Sequence, residues 1–447
     1  MLEFFNRYIF GVLTPTALMT AGVFYAIKLK FFHFRRPRLL LRGMLRENGN
    51  GGNSPLRALS LALAGTLGVG NIVGVASAIA LGGFGSIFWM WISALAAMLL
   101  KYAETVLAII HRRRDANGDY HGGAMYYIKD RFSSIGRGTW GGVLAVLFAL
   151  LCILNALTMG CMIQTEAVTS AFEGVCGIDP AFTGGVFAVL AIAVIITGAR
   201  GISSMTEKLV PIMTLAYFVL SAAVMLREPT DALEAFRTIF ADAFSSDSAL
   251  GGAVGFLVSR GIRYGTMRGL MSNEAGCGTA PIAHASSGVR RAAVQGVWGI
   301  FEVFIDTILL CTMTAIVVIM NYDIASEYAN EPMMMTLRAY SATLGGWSEY
   351  CMCAMVLFFG FATVICWAHY GAECVSYLTR RPWAKRAFNA VYFIAMLWGS
   401  VGAPALAWGL ADLALGSMTL INIAVISPMH REVESETGKY LEEMNKI

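Results

Sequence analysis

The chain runs again and again for the length of a membrane span with few or no charges. An α-helix rises 1.5 Å per residue, so crossing a bilayer takes about 20 apolar residues. Eleven segments meet that need, near 8–30, 56–81, 84–110, 141–172, 181–199, 206–226, 250–285, 293–320, 349–378, 384–401 and 403–427. Backbone in lipid must satisfy its own N–H and C=O groups, so these segments are expected to be helices. The expected fold class is therefore all-α, a polytopic membrane protein with about 11 transmembrane helices. Composition agrees: 57% of the residues are hydrophobic and 14% are charged, whereas soluble domains are about a quarter charged. Residues 1–7 (MLEFFNR) lack the basic start of a signal peptide, so the first run reads as a span and not as a cleaved leader. Residues 231–248 are amphipathic and too polar to span, and are expected to form an interfacial helix.

Loop charge gives an orientation. The connections after the first and third runs, KLKFFHFRRPRLLLRGMLREN and HRRRDANGDYHGGAMYYIKDRF, are basic. Arg200 and Lys208 follow the fifth run, and Arg290 and Arg291 follow the seventh. The alternate connections are neutral or acidic, as at GGFG (82–85), Glu173, Asp179, Glu228 and Asp231. By the positive-inside rule the N-terminus lies outside, and the tail 428–447 lies in the cytoplasm. A multi-pass protein of the cell inner (plasma) membrane is expected.

Two of the runs are interrupted. LAGTLGVGNIVGVASAIALGG (63–83) places Gly65, Thr66, Gly68, Gly70, Asn71 and Gly74 where leucines would serve. RGLMSNEAGCGTAP (268–281) does the same in the seventh run. Gly70 and Gly74 fit the GxxxG pattern, which allows close helix packing. They fit an unwound turn as well, because glycine lets the backbone leave α geometry without steric cost. Unwinding frees N–H groups that suit a carboxylate and carbonyls that suit Na⁺. The second stretch adds Ser272, Asn273 and Glu274, and a carboxylate in an apolar run is a functional signal. The two interruptions lie five spans apart, so they run in opposite directions. That is the pattern of an inverted repeat with a site at its interface. The expected organisation is one transmembrane transporter domain: an extra helix at 8–30, a first repeat at 56–226, a second at 250–427, and a tail.

Other polar residues fall inside the runs. Gln164 can both donate to and accept from a bound polar group. Thr363 and Trp367 lie one turn apart and share a face. Lys101 and Glu104, at i and i+3, are expected to pair. Arg263 and Arg268 are expected to pair with acidic groups such as Glu274. Asp306, Glu302, Glu373 and Asp412 are further buried candidates, and Met333–Met335 is expected in an external loop. The nine cysteines contain no CxxC pair and the six histidines are scattered, so neither a disulfide frame nor a zinc site is expected. No nucleophile–base pair points to a membrane enzyme, and no charged ring or filter motif points to a channel.

Several stretches carry a family resemblance: SLALAGTLGVGNIVGVASAIALGGFGSIFWMWISALAAMLLKYAE (60–104), GDYHGGAMYYI (118–128), MIQ (162–164), RGLMSNEAGCGTAPIAHASS (268–287), DTILLCTMTAIVV (306–318) and FATVICWAHYGAE (361–373). With them the chain resembles the alanine or glycine:cation symporters, also called sodium:alanine symporters. The resemblance implies a leucine-transporter-type fold, a 5+5 inverted repeat with an extra N-terminal helix. It also implies Na⁺-coupled uptake of a small neutral amino acid, alanine or glycine. The alternative on the same fold is a proton-coupled carrier or exchanger, with glutamine as another substrate. By position, the implied substrate residues are Thr66, Gly68, Gly70, Asn71, Gln164, Gly269, Met271, Ser272, Asn273, Thr363 and Trp367. Trp367 would limit side-chain size. The implied Na⁺ ligands are the carbonyls of Ala64 and Leu67 with the Thr363 hydroxyl, and Asn71 for a second ion. The chain departs from the family at Val69 (usually Thr), Met271 (usually Phe), Ala124 (usually Pro), Cys366, Ala368 and His369. Na⁺ as coupling ion, an amino acid and the lipid bilayer are the implied partners. No organic cofactor, nucleic acid or obligate protein partner is expected.

Overall fold

The computed structural model describes residues 6–38, 40, 54–116, 118–244, 260–402 and 404–445. It is almost wholly helical. The only strands among these residues are β1 (Arg113–Arg114) and β2 (Tyr120–His121), paired antiparallel.

After a π-helical start (Asn6–Leu13) come α1 (Thr14–Lys28), α2 (Phe32–Arg35), α3 (Pro55–Thr66), α4 (Val73–Gly82) and α5 (Ser86–His111). Past the strands lie α6 (Ala124–Ser134), α7 (Gly138–Leu157), α8 (Ile163–Cys176), α9 (Pro180–Ile195), α10 (Gly198–Arg227) and α11 (Pro229–Ala243). Then follow α12 (Arg260–Asn273), α13 (Ala280–Ala285), α14 (Ala292–Val303), α15 (Thr312–Met320), α16 (Tyr322–Ala325) and α17 (Pro332–Leu344). The chain ends with α18 (Trp347–Leu378), α19 (Pro382–Val401), α20 (Pro404–Ile426) and α21 (His430–Asn445). A π-helical turn (Thr158–Met162) joins α7 to α8, and another (Phe304–Cys311) joins α14 to α15.

The order of elements repeats. A broken pair (α3/α4) is followed by a long helix (α5), a short one (α6), the joined pair α7–α8, then α9 and α10. The second broken pair (α12/α13) is followed by the joined pair α14–α15, a short helix (α17), then α18, α19 and α20. Helix α10 shows why such a chain needs lipid. Val210, Met213, Tyr217, Ser221 and Val224 recur at helical spacing and are buried. Ile212, Leu215, Val219 and Leu226, on the other side, are apolar and exposed. A helix that is apolar all round suits a membrane.

Among the described residues seven helices are long and apolar enough to cross a bilayer alone, and the bent α3/α4 pair makes an eighth. Three of the eleven expected spans fall outside that group. Helix α9 has 16 residues, α19 carries Lys385 and Arg386, and the seventh span is split and arginine-rich in α12, with its first residues, 250–259, outside the described residues. The interfacial segment is helical over Pro229–Ala243, and its last residues also lie outside.

Met333–Met335 correct a reading. They are buried on α17 and do not form an external loop patch, because α17 packs its apolar face on α18 and α4. The tail also does more than trail. Helix α21 lies against α1, α5 and α14. Thr437 bonds the Tyr102 hydroxyl at 2.8 Å, and Glu432 lies 3.0 Å from His111 Nε2.

Candidate substrate and ion site

The first break is a real interruption. Helix α3 stops at Thr66, Gly68 is extended, Val69–Asn71 makes one 3₁₀ turn, and α4 resumes at Val73. The two halves bend by 59°. The second break runs from α12 to α13, where Gly276 and Gly278 hold φ of 82° and 79°. Those left-handed values explain the glycines. The breaks face each other at Gly70: a β-carbon there would lie 3.8 Å from Met271 O and from Ser272 Cα. Helix packing through GxxxG is not what these glycines do, since a β-carbon on Gly74 would meet nothing within 4 Å.

Buried backbone groups are costly unless paired, so their partners tell what each break is for. The second break is held by neighbouring side chains. Glu104 accepts from Gly276 N (3.2 Å) and Gly278 N (3.1 Å). Lys101 donates to Asn273 O at 2.8 Å, and Asn422 donates to Gly276 O at 2.9 Å. The expected Lys101–Glu104 pair is therefore corrected. Lys101 pairs with Glu302 at 3.0 Å, while Glu104 caps the freed N–H groups of the break. The expected pairing of Arg263 and Arg268 with Glu274 is corrected too. Glu274 accepts from Thr279 at 2.7 Å, whereas the Arg268 guanidinium lies over Trp408 and that of Arg263 over Tyr264.

The first break is held differently. Its carbonyls meet one hydroxyl: Thr363 Oγ1 donates to Ala64 O at 3.0 Å and reaches Leu67 O at 3.5 Å. Its Val69 N–H donates to Gln164 Oε1 at 3.1 Å. Gln164 Nε2 donates to Met159 O. Gly68 sits between them, for a β-carbon would fall 2.7 Å from Thr363 Oγ1 and 2.9 Å from Gln164 Oε1. Trp367, one turn beyond Thr363, is wholly buried, and its Nε1 has no partner among the described residues. A β-carbon on Gly160 would lie 2.3 Å from the Trp367 side chain, so the indole is clamped against the π-helical turn.

A second polar knot lies beside Asn71. Its Nδ2 donates to Asp306 Oδ1 at 2.7 Å and to Ser272 Oγ at 3.1 Å. Ser272 and Thr307 both donate to Asp306 Oδ2 at 2.7 Å. Asn71 Oδ1 is buried without a partner among the described residues. Apart from the amide nitrogen and Cys311 Sγ, which lies 3.3 Å from Ser272 Oγ and 3.5 Å from Asn71 Nδ2, the groups here are oxygens, which suit a hard cation.

The structure thus brings Ala64, Leu67, Gly68, Gln164 and Thr363 together, with Trp367 one turn beyond Thr363, and Gly70, Asn71, Met271 and Ser272 together. It does not bring in every implied residue. Gly269 abuts Met90 and Ser93 of α5, where a β-carbon would lie 3.0 Å from Ser93 Oγ, so it serves helix packing. Asn273 turns its side chain to Thr307 and to the Ala275 N–H. Thr66 points to Ala62 O and Glu302 Oε1, at 3.3 and 3.4 Å. Sequence reasoning undervalued Glu302, which links Lys101, Thr66 and His284; its burial in a run of otherwise apolar residues was the available signal.

Away from these contacts, a cavity of about 690 Å³ is lined by residues that include Asp119, His121, Arg200, His369 and Glu373. His121 Nδ1 lies 2.8 Å from Glu373 Oε2, and Arg200 pairs with Asp119. The bond to Glu373 pushes the His121 imidazole up to about 9.

Comparison places this geometry. The sodium:alanine symporter family model matches residues 1–447. The "Sodium/alanine symporter AgcS" of Methanococcus maripaludis is 33% identical over 98% of this chain and 96% of its own. "Uncharacterized transporter YflA" of Bacillus subtilis is 33% identical, over 97% and 92%. "Probable sodium/glutamine symporter GlnT" of the same organism is 29% identical, over 97% and 89%. In fold, the chain is similar to MhsT, solved in complex with L-phenylalanine, with a TM-score of 0.56 and 14% identity over 84% of this chain and 89% of that one. It is also similar to the Eremococcus coleocola manganese transporter, with a TM-score of 0.53 and 14% identity over 82% and 76%. The all-helical, leucine-transporter-type architecture and the whole-length match agree: this chain is an integral membrane transporter and belongs to the sodium:alanine symporter family.

Proposed function

We propose that the protein couples inward Na⁺ movement to uptake of a small neutral amino acid, alanine or glycine. The observation that carries this reading is the meeting of Ala64 O, Leu67 O and Thr363 Oγ1 at the first break. Here a helix broken in the first half of the chain is joined to α18 at its break by a single hydroxyl, while Cys366 Sγ bonds Leu61 O at 3.0 Å one turn earlier. Three oxygens in that arrangement suit Na⁺, which would replace the hydroxyl proton as the partner of both carbonyls. Ion binding would then hold α3 against α18, and release would free them to move apart.

The amino acid would lie between the two breaks. Its carboxylate would take the Val69 N–H in place of Gln164 Oε1, and its ammonium would meet the Gln164 oxygen so released and carbonyls such as Met271 O. The enclosed indole of Trp367 and the tight fit at Gly68 favour a side chain no larger than a methyl group. Asn71, with Ser272 and Asp306, would take a second ion. The orientation proposed from loop charge, with the N-terminus outside, puts the cavity around His121 on the cytoplasmic side.

The test is labelled alanine uptake into proteoliposomes under an inward Na⁺ gradient, repeated with K⁺ in place of Na⁺. Accumulation above equilibrium only with Na⁺ is expected. Competition by unlabelled glycine, and none by glutamine, is expected in the same run. Uptake indifferent to Na⁺ would overturn the coupling, and strong competition by glutamine would overturn the size limit.

A further inference from the structure

A second large cavity opens on the far side of the two breaks from His121. It has a volume of about 710 Å³, and α4, α8, α12, α17 and α20 all contribute to its wall. Four charged residues line it: Arg268 on α12, the half-buried Glu166 on α8, and the exposed Glu173 and Glu331. Arg268 and Glu166 do not pair with each other, and neither is in an ion pair among the described residues. Arg268 Nε is buried without a hydrogen-bond partner there. The guanidinium lies 5.0 Å from the Trp408 ring centre, and its Nη1 is 3.4 Å from Met271 Sδ. Asp412 on α20 is within electrostatic reach of Arg268 but forms no ion pair with it. Among the described residues the Glu166 carboxylate accepts only from Ser170, one turn on, at 3.2 Å. Val73, Met333, Met334 and Trp408 give the same cavity an apolar surface.

We propose that this cavity is a peripheral binding site for the transported amino acid, where Arg268 holds the carboxylate and Glu166 the ammonium. The proposal rests on the amino-acid transport reading above. A guanidinium and a carboxylate on different helices of one cavity, each with bonding capacity unused, supply the two partners a zwitterion needs. The apolar surface beside them takes a small aliphatic side chain. The site is coupled to the central one through Met271. Its thioether touches Arg268, while its carbonyl faces Gly70 across the meeting of the two breaks. A carboxylate on Arg268 would draw the guanidinium off the thioether and loosen that wall. The amino acid would thus be caught in the cavity and passed inward.

The experiment is equilibrium binding of labelled alanine to the purified full-length protein in Na⁺, with thermal melting as a check on folding. Wild type is expected to bind one alanine more per chain than Arg268→Gln. Glu166→Gln is expected to weaken the peripheral alanine by at least about tenfold, the loss that goes with one charge-assisted hydrogen bond. Arg268→Lys, which keeps the charge, is expected to retain it. Gln164→Ala, in the central site, is expected to lose the other alanine and keep the peripheral one. Unchanged stoichiometry and affinity in a folded Arg268→Gln would overturn the peripheral site and leave the transport reading standing. Loss of every bound alanine in that variant would place Arg268 in the central site and overturn the proposal as well. A wild type that binds no alanine in Na⁺ would overturn both.

Discussion

The Thr363 hydroxyl bonds Ala64 O at 3.0 Å across a sequence separation of 299 residues. No segment close to either residue makes that contact. It exists because α3 and α18 pack side by side, and because α3 unwinds where the hydroxyl arrives. The expected outcome for Thr363→Ala is a loss of Na⁺ dependence, with apparent Na⁺ affinity falling by at least about tenfold. Thr363→Ser keeps the oxygen and is expected to keep most of the affinity. Uptake measured against Na⁺ concentration checks both. Equal Na⁺ curves for wild type and Thr363→Ala would remove Thr363 from the ion site.

Trp367, wholly buried one turn beyond Thr363, is the residue proposed to limit the size of the substrate side chain. Trp367→Ala empties the space the indole fills against Gly160, and is expected to admit larger neutral amino acids while costing about 3 kcal/mol of stability, as for other buried aromatic truncations. Competition by leucine and phenylalanine against labelled alanine reads the first effect, and thermal melting the second. Unaltered selectivity in a folded variant would move the size limit elsewhere.

Lys101 and Glu302 are fully buried partners at 3.0 Å. Removing one leaves a buried charge alone, which costs about 3–5 kcal/mol, whereas removing both costs far less. Lys101→Met and Glu302→Gln are each expected to lower the melting temperature more than the double variant does. A double variant that melts at the sum of the two single losses would show that the two groups are not coupled.

Asp306 accepts from Asn71, Ser272 and Thr307. Asp306→Asn keeps the size of the side chain and removes its charge. If the knot binds a second ion, the steepness of uptake against Na⁺ concentration falls while Thr363-dependent binding persists. A steepness equal to that of wild type would leave the knot a purely structural one.

His121 joins the loop after α5 to Glu373 on α18 at 2.8 Å. Its imidazole is raised from an ordinary value of 6.5 to about 9 by that bond. The sign follows: the contact contributes its full stability below pH 6.5 and loses it as pH rises through about 9. Protection of this loop from proteolysis is expected to fall between those pH values in wild type. His121→Gln should show no such fall, and a fall of equal size in that variant would exclude His121 as the titrating group.

Much of the fold could be read along the chain. Hydrophobic runs of bilayer length marked the spans because lipid enforces backbone self-satisfaction one segment at a time. The two breaks were legible for the same local reason: glycines and an asparagine inside an apolar run have few other uses. The short helix α17 was missed because its methionines look like any apolar loop until α4 and α18 are seen to cover them.

The sequence by itself determined the solvent, the helices and the places where two of them open. Those properties depend on neighbours a few residues away. Only the tertiary structure decided which groups answer the opened backbone. Lys101 and Glu104, three residues apart, looked like partners for each other, yet each reaches the second break by a different route. Gly269 and Asn273 lie in the same short stretch as Met271 and Ser272, yet they face other helices. A helix turns each successive side chain by about 100°, so neighbours in sequence diverge in space. The contacts that tie the first break to the rest of the site are between residues 95 to 299 positions apart. Packing chooses them, because each buried polar group must find a partner within hydrogen-bonding distance wherever the chain has brought one.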